Sequence, residues 1–151
     1  KDLSKNSMTP FYIGKNYNGK KNETEFIKYV ESKNIDWWYK NGNSGSEHFS
    51  IPFYDDLERK EKLFYPDWII KIKDITLILD TKQGLSGTVG STDTKRKAEA
   101  LQKWIKEQNK KGKKFKGGII SKVSEIWKIN NKDEYKVDAN YTEWEELSEV
   151  F

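Results

Sequence analysis

Two apolar runs separated by one pair of polar residues constrain this chain more than any other stretch. Trp68 to Ile72 and Ile75 to Leu79 are rich in isoleucine, leucine and tryptophan, and only Lys73 and Asp74 lie between them. Such runs read as strands, and so short a break reads as a β-hairpin. An even-numbered loop centred on Lys73 and Asp74 sets one register, in which Ile72 faces Ile75, Ile70 faces Leu77 and Trp68 faces Leu79. That side of the hairpin is wholly apolar. The same register sets Asp67 opposite Asp80 on the other side, with Ile69 against Ile78 and Lys71 against Thr76. Directly opposed side chains have Cβ atoms about 4.5–5.5 Å apart, where two carboxylates repel unless positive charge lies between them. A divalent cation meets that need. Lys82 follows Asp80 by two residues, and period-two alternation returns it to the side carrying both aspartates.

The rest of the chain can bury a core around this hairpin. Its 151 residues suit a single domain without disulfides, and it contains no cysteine, which removes thiolate metal sites and fits a reducing cytoplasm. No apolar run reaches the length of a membrane span. Aromatic residues make up 14% of the chain, which argues for a packed domain rather than disorder. Against 24 acidic residues stand 28 basic ones, an excess that permits a polyanionic partner without requiring one. The chain starts at Lys1 rather than Met, which fits a segment taken from something longer.

Taken in order, residues 1–21 read as an extended arm with a short strand at Phe11 to Ile13, residues 22–123 as the core, and residues 124–151 as a C-terminal hairpin and short helix. A helix is expected from Asn22 to about Ser32, with Phe26, Ile27 and Val30 as its apolar stripe and Asn22 and Glu25 as a capping box. Ile35 to Lys40 and His48 to Tyr54 read as a hairpin around the turn from Asn41 to Ser46, and Asp55 to Lys62 as a charged loop. Gly84 to Ser91 holds three glycines and reads as a mobile loop. Thr92 can cap a second helix carrying Ala98, Leu101, Trp104 and Ile105, which Gly112 ends. A strand is expected from Phe115 to Val123. Glu125 to Ile129 and Tyr135 to Val137 read as one more hairpin, and Thr142 and Glu145 as the capping box of a last helix. The resulting fold class is α/β, bordering on α+β: a mixed sheet flanked by helices.

Pro66 and Asp67, then twelve residues, then Asp80, Thr81 and Lys82 resemble the motif of the PD-(D/E)XK nuclease superfamily. The order of helix, strands, helix and strand is similar to that family's restriction-endonuclease-like αβββαβ core. Glu25 and Phe26, the run from Ile35 to Gly42, and Lys97 to Trp104 resemble more narrowly the nuclease domain of type III restriction subunits and superfamily 2 helicases. The resemblance implies a Mg²⁺-dependent endonuclease acting in restriction, defence or repair, with Mn²⁺ able to substitute and DNA as the substrate, RNA not being separable from it. It implies that Asp67, Asp80 and the backbone carbonyl of Thr81 hold the metal and that Lys82 serves the attacking water and the phosphate, through a lowered pKa or by charge alone. Glu25 is the implied acidic residue of the first helix, in contact with the metal directly or through water, or else simply a capping residue. Lys97 and Gln102, with Lys95 beside them, match positions that face nucleic acid. No ATP-binding motif occurs, so a helicase motor would lie in another region or a partner. The alternative is a noncatalytic nucleic-acid-binding or assembly domain of the same fold.

Two features have plainer readings. His48, the one histidine, reads as a solvent-facing strand residue. The basic run from Lys110 to Lys116 could grip phosphates, but it reads first as a solvated helix end, where lysines are favoured.

Overall fold

The structure, a computed structural model, describes residues 21–84 and 88–151 in full, and of the first twenty only the backbone pairing of β1 (Asp2–Leu3) with β2 (Tyr12–Ile13). The short strand expected at Phe11 to Ile13 is thus present at Tyr12–Ile13, while Phe11 and most of the arm lie outside the described residues.

The remaining elements are α1 (Lys21–Glu31), β3 (Trp37–Lys40), β4 (Ile51–Asp55), β5 (Lys60–Phe64), β6 (Trp68–Ile72), β7 (Ile75–Thr81), α2 (Thr92–Lys110), β8 (Phe115–Val123), β9 (Ile126–Asn130), β10 (Glu145–Glu146) and a 3₁₀ turn at Leu147–Val150. Six strands form one mixed sheet in the order β10-β9-β8-β7-β6-β3. β7 runs antiparallel to β6 and parallel to β8. A parallel pair needs a long crossover, which α2 supplies.

The β6–β7 hairpin has the register that its apolar pattern demands, from Trp68 against Leu79 to Ile72 against Ile75. Lys73 takes a left-handed φ of 54°, and its N–H donates to Asp36 Oδ2 at 3.0 Å, which holds a turn that its residue types alone do not favour. One side of the sheet packs Trp38, Trp68, Ile70, Leu77, Leu79 and Ile120 against Phe26, Ile27 and Val30 of α1. The other side packs Ile78 against Leu101 and Ile105 of α2, and Ile119 near Ala98. The sheet therefore carries one helix on each face, and alternation along β7 sends Leu77 and Leu79 to one helix and Ile78 and Asp80 toward the other.

Several expectations fail where side chains override local pattern. β3 and β4 do not form a hairpin: β3 pairs with β6, while β4 pairs with β5, which was expected to be charged loop. The cause is Asn41, which is buried and donates from Nδ2 to the carbonyls of Phe49 and Pro66 while Oδ1 accepts from Phe49 N–H. It turns the chain out of the sheet rather than back along β3. His48 lies in that connection, outside any strand, with Nδ1 3.1 Å from the Tyr39 hydroxyl.

Likewise, β9 pairs with β8 through Ser124 and Glu125, both at positive φ, and Tyr135 to Val137 is not a strand. No α-helix follows Thr142, whose N–H and hydroxyl both donate to Asp138; β10 and the 3₁₀ turn stand there instead. The cap of α2 is Ser91, accepting from Thr94 N–H at 3.1 Å, rather than Thr92. Asn22 lies inside α1, so it does not cap that helix with Glu25.

The β4–β5 turn supplies a pH prediction. Asp55 Oδ1 accepts from the N–H groups of Leu57 and Glu58, and Lys62 Nζ lies 2.8 Å from Oδ2. These contacts, the Lys62 hydrogen bond first, hold the Asp55 carboxyl down to about 2. A depressed folded-state value gives stability that is present above the ordinary aspartate value near 3.8 and lost as pH falls toward 2. Asp55→Asn keeps the turn and loses the ion pair. The melting-temperature gap between wild type and Asp55→Asn is expected to be open at pH 5 and to close between about pH 4 and pH 2 in thermal melts.

Candidate active site at the β6–β7 sheet end

Asp67 and Asp80 meet at one end of the hairpin because the pairing continues past Trp68 and Leu79. The N–H of Asp67 donates to Asp80 Oδ1 at 3.1 Å, and the N–H of Thr81 donates to Asp67 Oδ2 at 3.0 Å. Each strand end thus holds the carboxylate of the other. On the neighbouring strand, Asn41 N–H donates to the Asp67 carbonyl at 2.8 Å while its side chain grips Pro66 O at 2.9 Å. The segment entering Asp67 is therefore clamped from both sides.

The two carboxylates are unequal. Asp67 keeps about a quarter of its side chain in solvent, whereas Asp80 is buried. Asp80 Oδ2 lies 2.9 Å from Lys82 Nζ, an ion-pair distance, yet receives no properly directed hydrogen bond. Burial first, and Asp67 second, push the Asp80 carboxyl up to about 7. Burial alone would lower the Lys82 ammonium, but Asp80, then Asp67 and Asp93, outweigh it and raise it above its ordinary value. Without a metal Lys82 is thus a firmly held cation, which suits the second of the two roles the resemblance implies, action by charge alone, better than the first.

A cavity of about 220 Å³ opens beside these groups, lined by Asn22, Glu23, Asp67, Thr81, Lys82 and Gln83 together with Thr88. Glu23 belongs to it, and Glu25 does not. Successive helical residues are about 100° apart, so two residues turn the side chain by about 200° and send the two glutamates to opposite sides of α1. Glu25 pairs with Lys122 at 3.1 Å instead. The signal for Glu23 was in the sequence: it stands three and four residues before Phe26 and Ile27, on the stripe that faces the sheet. Lys40 lies 3.5 Å from Asp67 Oδ1, 4.0 Å from Glu23 Oε1 and 5.3 Å from the Trp68 ring centre, so it links the two acidic groups.

The residues matched on the second helix have partners within the protein. Gln102 is buried and donates to the Gly117 carbonyl at 2.9 Å, which leaves it no surface for nucleic acid. Lys97 pairs with Asp93 at 2.9 Å and Lys95 with Glu99 at 3.2 Å. Of the glycine-rich loop, residues 85–87 lie outside the described residues. Its far end is anchored, with Val89 buried, Val89 N–H donating to Gln83 O and the Tyr135 hydroxyl donating to Val89 O at 2.6 Å. A larger groove of about 390 Å³ between β4 and α2 is lined by Pro52, Arg96, Glu99, Trp104 and Glu107 among others.

Two carboxylates brought together at one sheet end, one of them buried, suit a small divalent cation, which accepts one or two carboxylates and fills its other positions with water. Among the described residues no group of three or more acidic, histidine or cysteine side chains is close enough to form a complete ligand cage. Among them also, no helix is long and apolar enough to cross a membrane. Comparison with known proteins found no matching family model, no matching curated protein and no matching solved structure.

Proposed function

We propose that the chain is a Mg²⁺-dependent nuclease that hydrolyses phosphodiester bonds, most readily as a DNA endonuclease with a restriction-endonuclease-like core. The observation that carries this reading is the opposed pair Asp67 and Asp80, with Lys82 against the buried oxygen of Asp80. The element order supports it: α1, β3, β6, β7, α2 and β8 follow the αβββαβ order expected for that family, with the β4–β5 hairpin inserted between the first two strands.

Asp67 and Asp80, with the Thr81 carbonyl, would hold the ion. When bound, Mg²⁺ supplies an acidified water and positive charge against the phosphate oxygens. Lys82 places its ammonium beside the same point, where it offsets the charge that develops on the scissile phosphate. Glu23 takes the position expected of Glu25 and can orient water at the cavity margin. Lys40 keeps Asp67 and Glu23 from repelling one another before substrate arrives.

The test is to incubate the protein with plasmid, linear DNA, single-stranded DNA and RNA in Mg²⁺ or Mn²⁺, beside Asp80→Ala and Lys82→Ala. Cleavage that EDTA stops is expected, with both substitutions slowing it by about two orders of magnitude or more. Unchanged cleavage in both variants overturns the assignment. Salt-sensitive binding without cleavage points instead to a noncatalytic nucleic-acid-binding or assembly domain.

A further inference from the structure

The lysines are distributed unevenly between the two ends of the sheet. At the end bearing Asp67 and Asp80 they are matched by carboxylates: Lys40 by Asp67 and Glu23, Lys82 by Asp80, Lys122 by Glu25 and Glu125, Lys97 by Asp93. That end offers a polyanion little uncompensated positive charge.

The topology gathers three segments at the opposite end: the β6–β7 turn, the C-terminus of α2 and the start of β8. Thr76 N–H donates to the Lys114 carbonyl at 3.0 Å, and the Asn109 side chain bonds both the N–H and the carbonyl of Phe115. Lys114 Nζ lies 2.6 Å from Asp74, and Lys114 first, with Lys71 a lesser contributor, holds the Asp74 carboxyl below its ordinary value. Lys71, Lys73, Lys110, Lys111, Lys113 and Lys114 thus share this end with Asp36 and Asp74. Of these, Lys114 is matched by Asp74, and Lys116, Glu145 and Glu149 line one cavity at the start of β8. Lys110, Lys111 and Lys113 are exposed, and among the described residues no carboxylate lies within ion-pairing distance of them.

The dipole of α2 accounts for lysines in its last turn. It does not account for Lys71 and Lys73, which come from a hairpin that only the tertiary fold brings alongside.

We infer that this end is a second nucleic-acid-binding face, which grips backbone phosphates by charge and needs no metal. The choice of nucleic acid as the polyanion rests on the nuclease reading. The face is separated from Asp80 by the length of β7, five residue steps or about 17 Å. A duplex spans that distance in about five base pairs, so one duplex can reach both ends. An anionic membrane is the poorer fit, because surface binding there also needs buried apolar side chains. Among the described residues the exposed large ones are Tyr54, Leu57, Leu63 and Ile126, and none is at this end.

The test is fluorescence anisotropy of the whole chain with a labelled duplex of about 20 base pairs, in EDTA, across about 50 to 200 mM salt. Wild type is expected to bind with a steep salt dependence. Lys110→Gln/Lys111→Gln/Lys113→Gln is expected to weaken binding about tenfold and to lower the slope of log K against log salt by about 2, circular dichroism being unchanged. The control Lys28→Gln/Lys103→Gln/Lys128→Gln, which removes the same charge elsewhere, is expected to change affinity by less than about threefold. Equal loss in both triple variants, no binding in EDTA, or tighter binding to phosphatidylserine vesicles than to duplex overturns the inference. Binding in EDTA without cleavage in Mg²⁺ overturns the nuclease reading and leaves this face standing, and cleavage without binding in EDTA does the reverse.

Discussion

Asp80→Asn is expected to abolish cleavage and, in the metal-free protein, to raise the melting temperature. The two effects have one origin. Asp80 is buried and faces Asp67, and the Lys82 ammonium 2.9 Å from its Oδ2 offsets only part of that cost, so its charge is unfavourable in the fold until a further cation arrives. Its carboxyl is pushed up to about 7, burial first and Asp67 second. For an acid whose folded-state value is raised, the folded protein binds the extra proton between the ordinary aspartate value and the raised one. Stability therefore falls as pH rises from about 4 to about 7, and the full cost is felt above that.

Asparagine keeps the acceptor for Asp67 N–H and removes the charge. It also loses the Lys82 ion pair, so the gain is smaller than the shift alone implies. A gain on the order of 2 kcal/mol, or roughly 5 °C, is expected above pH 7 and none below pH 4. Added Mg²⁺ is expected to stabilise wild type, by binding the native state alone, and to leave Asp80→Asn unmoved. The cleavage rate is expected to drop by about three orders of magnitude. Calorimetric scans at pH 4 and pH 8, with and without Mg²⁺, read all of this. A variant less stable than wild type at pH 8 would show that Asp80 serves the fold rather than a ligand.

Gly117→Ala is expected to be strongly destabilising for the sheet. A Cβ built there would stand 1.9 Å from the Ile78 carbonyl oxygen and 2.9 Å from its carbon, both backbone atoms of β7. Neither can move without breaking the parallel pairing that aligns Gly117 with Ile78 and Ile119 with Asp80. The Gln102 bond to the Gly117 carbonyl ties α2 to the same point. A cost of about 3 kcal/mol or more, near 10 °C, follows from forcing an atom into a filled space. Gly90→Ala is the control, since its Cβ would meet only Val137 at an ordinary 3.7 Å. Thermal melts of the two should differ by most of that amount, and equal melting temperatures would rule out the close approach as the reason for glycine at position 117.

The opposed aspartates and the two faces of the central hairpin were legible in the residues because they depend on a local rule. Alternation along two adjacent strands sets which side chains oppose one another, and Trp68 to Leu79 obeys it throughout. The stripe of α1 was legible for a similar reason, since it follows one period over its own length. Glu25 was a poorer guide than Glu23 because motif likeness ignores the rotation of a helix, whereas the stripe of Phe26 and Ile27 encodes it.

What the tertiary structure alone decided concerns partners distant in sequence. The pairing of β3 with β6 rather than β4 depends on where the buried amide of Asn41 finds its carbonyls, and one of those, Pro66, is 25 residues away. The pairing of β9 with β8 and β10 likewise arises from turns and edges that no period announces. The distribution of charge belongs to this second group. Lysines and carboxylates are interspersed along the chain, yet the fold neutralises the cations around Asp67 and Asp80 and leaves Lys110, Lys111 and Lys113 at the far end without an ion-pair partner among the described residues. Sequence by itself determined which residues could form a buried carboxylate pair beside a lysine, through the two-residue repeat of a strand. Where uncompensated charge is left depended on long-range packing, whose energy is not local to any stretch of chain.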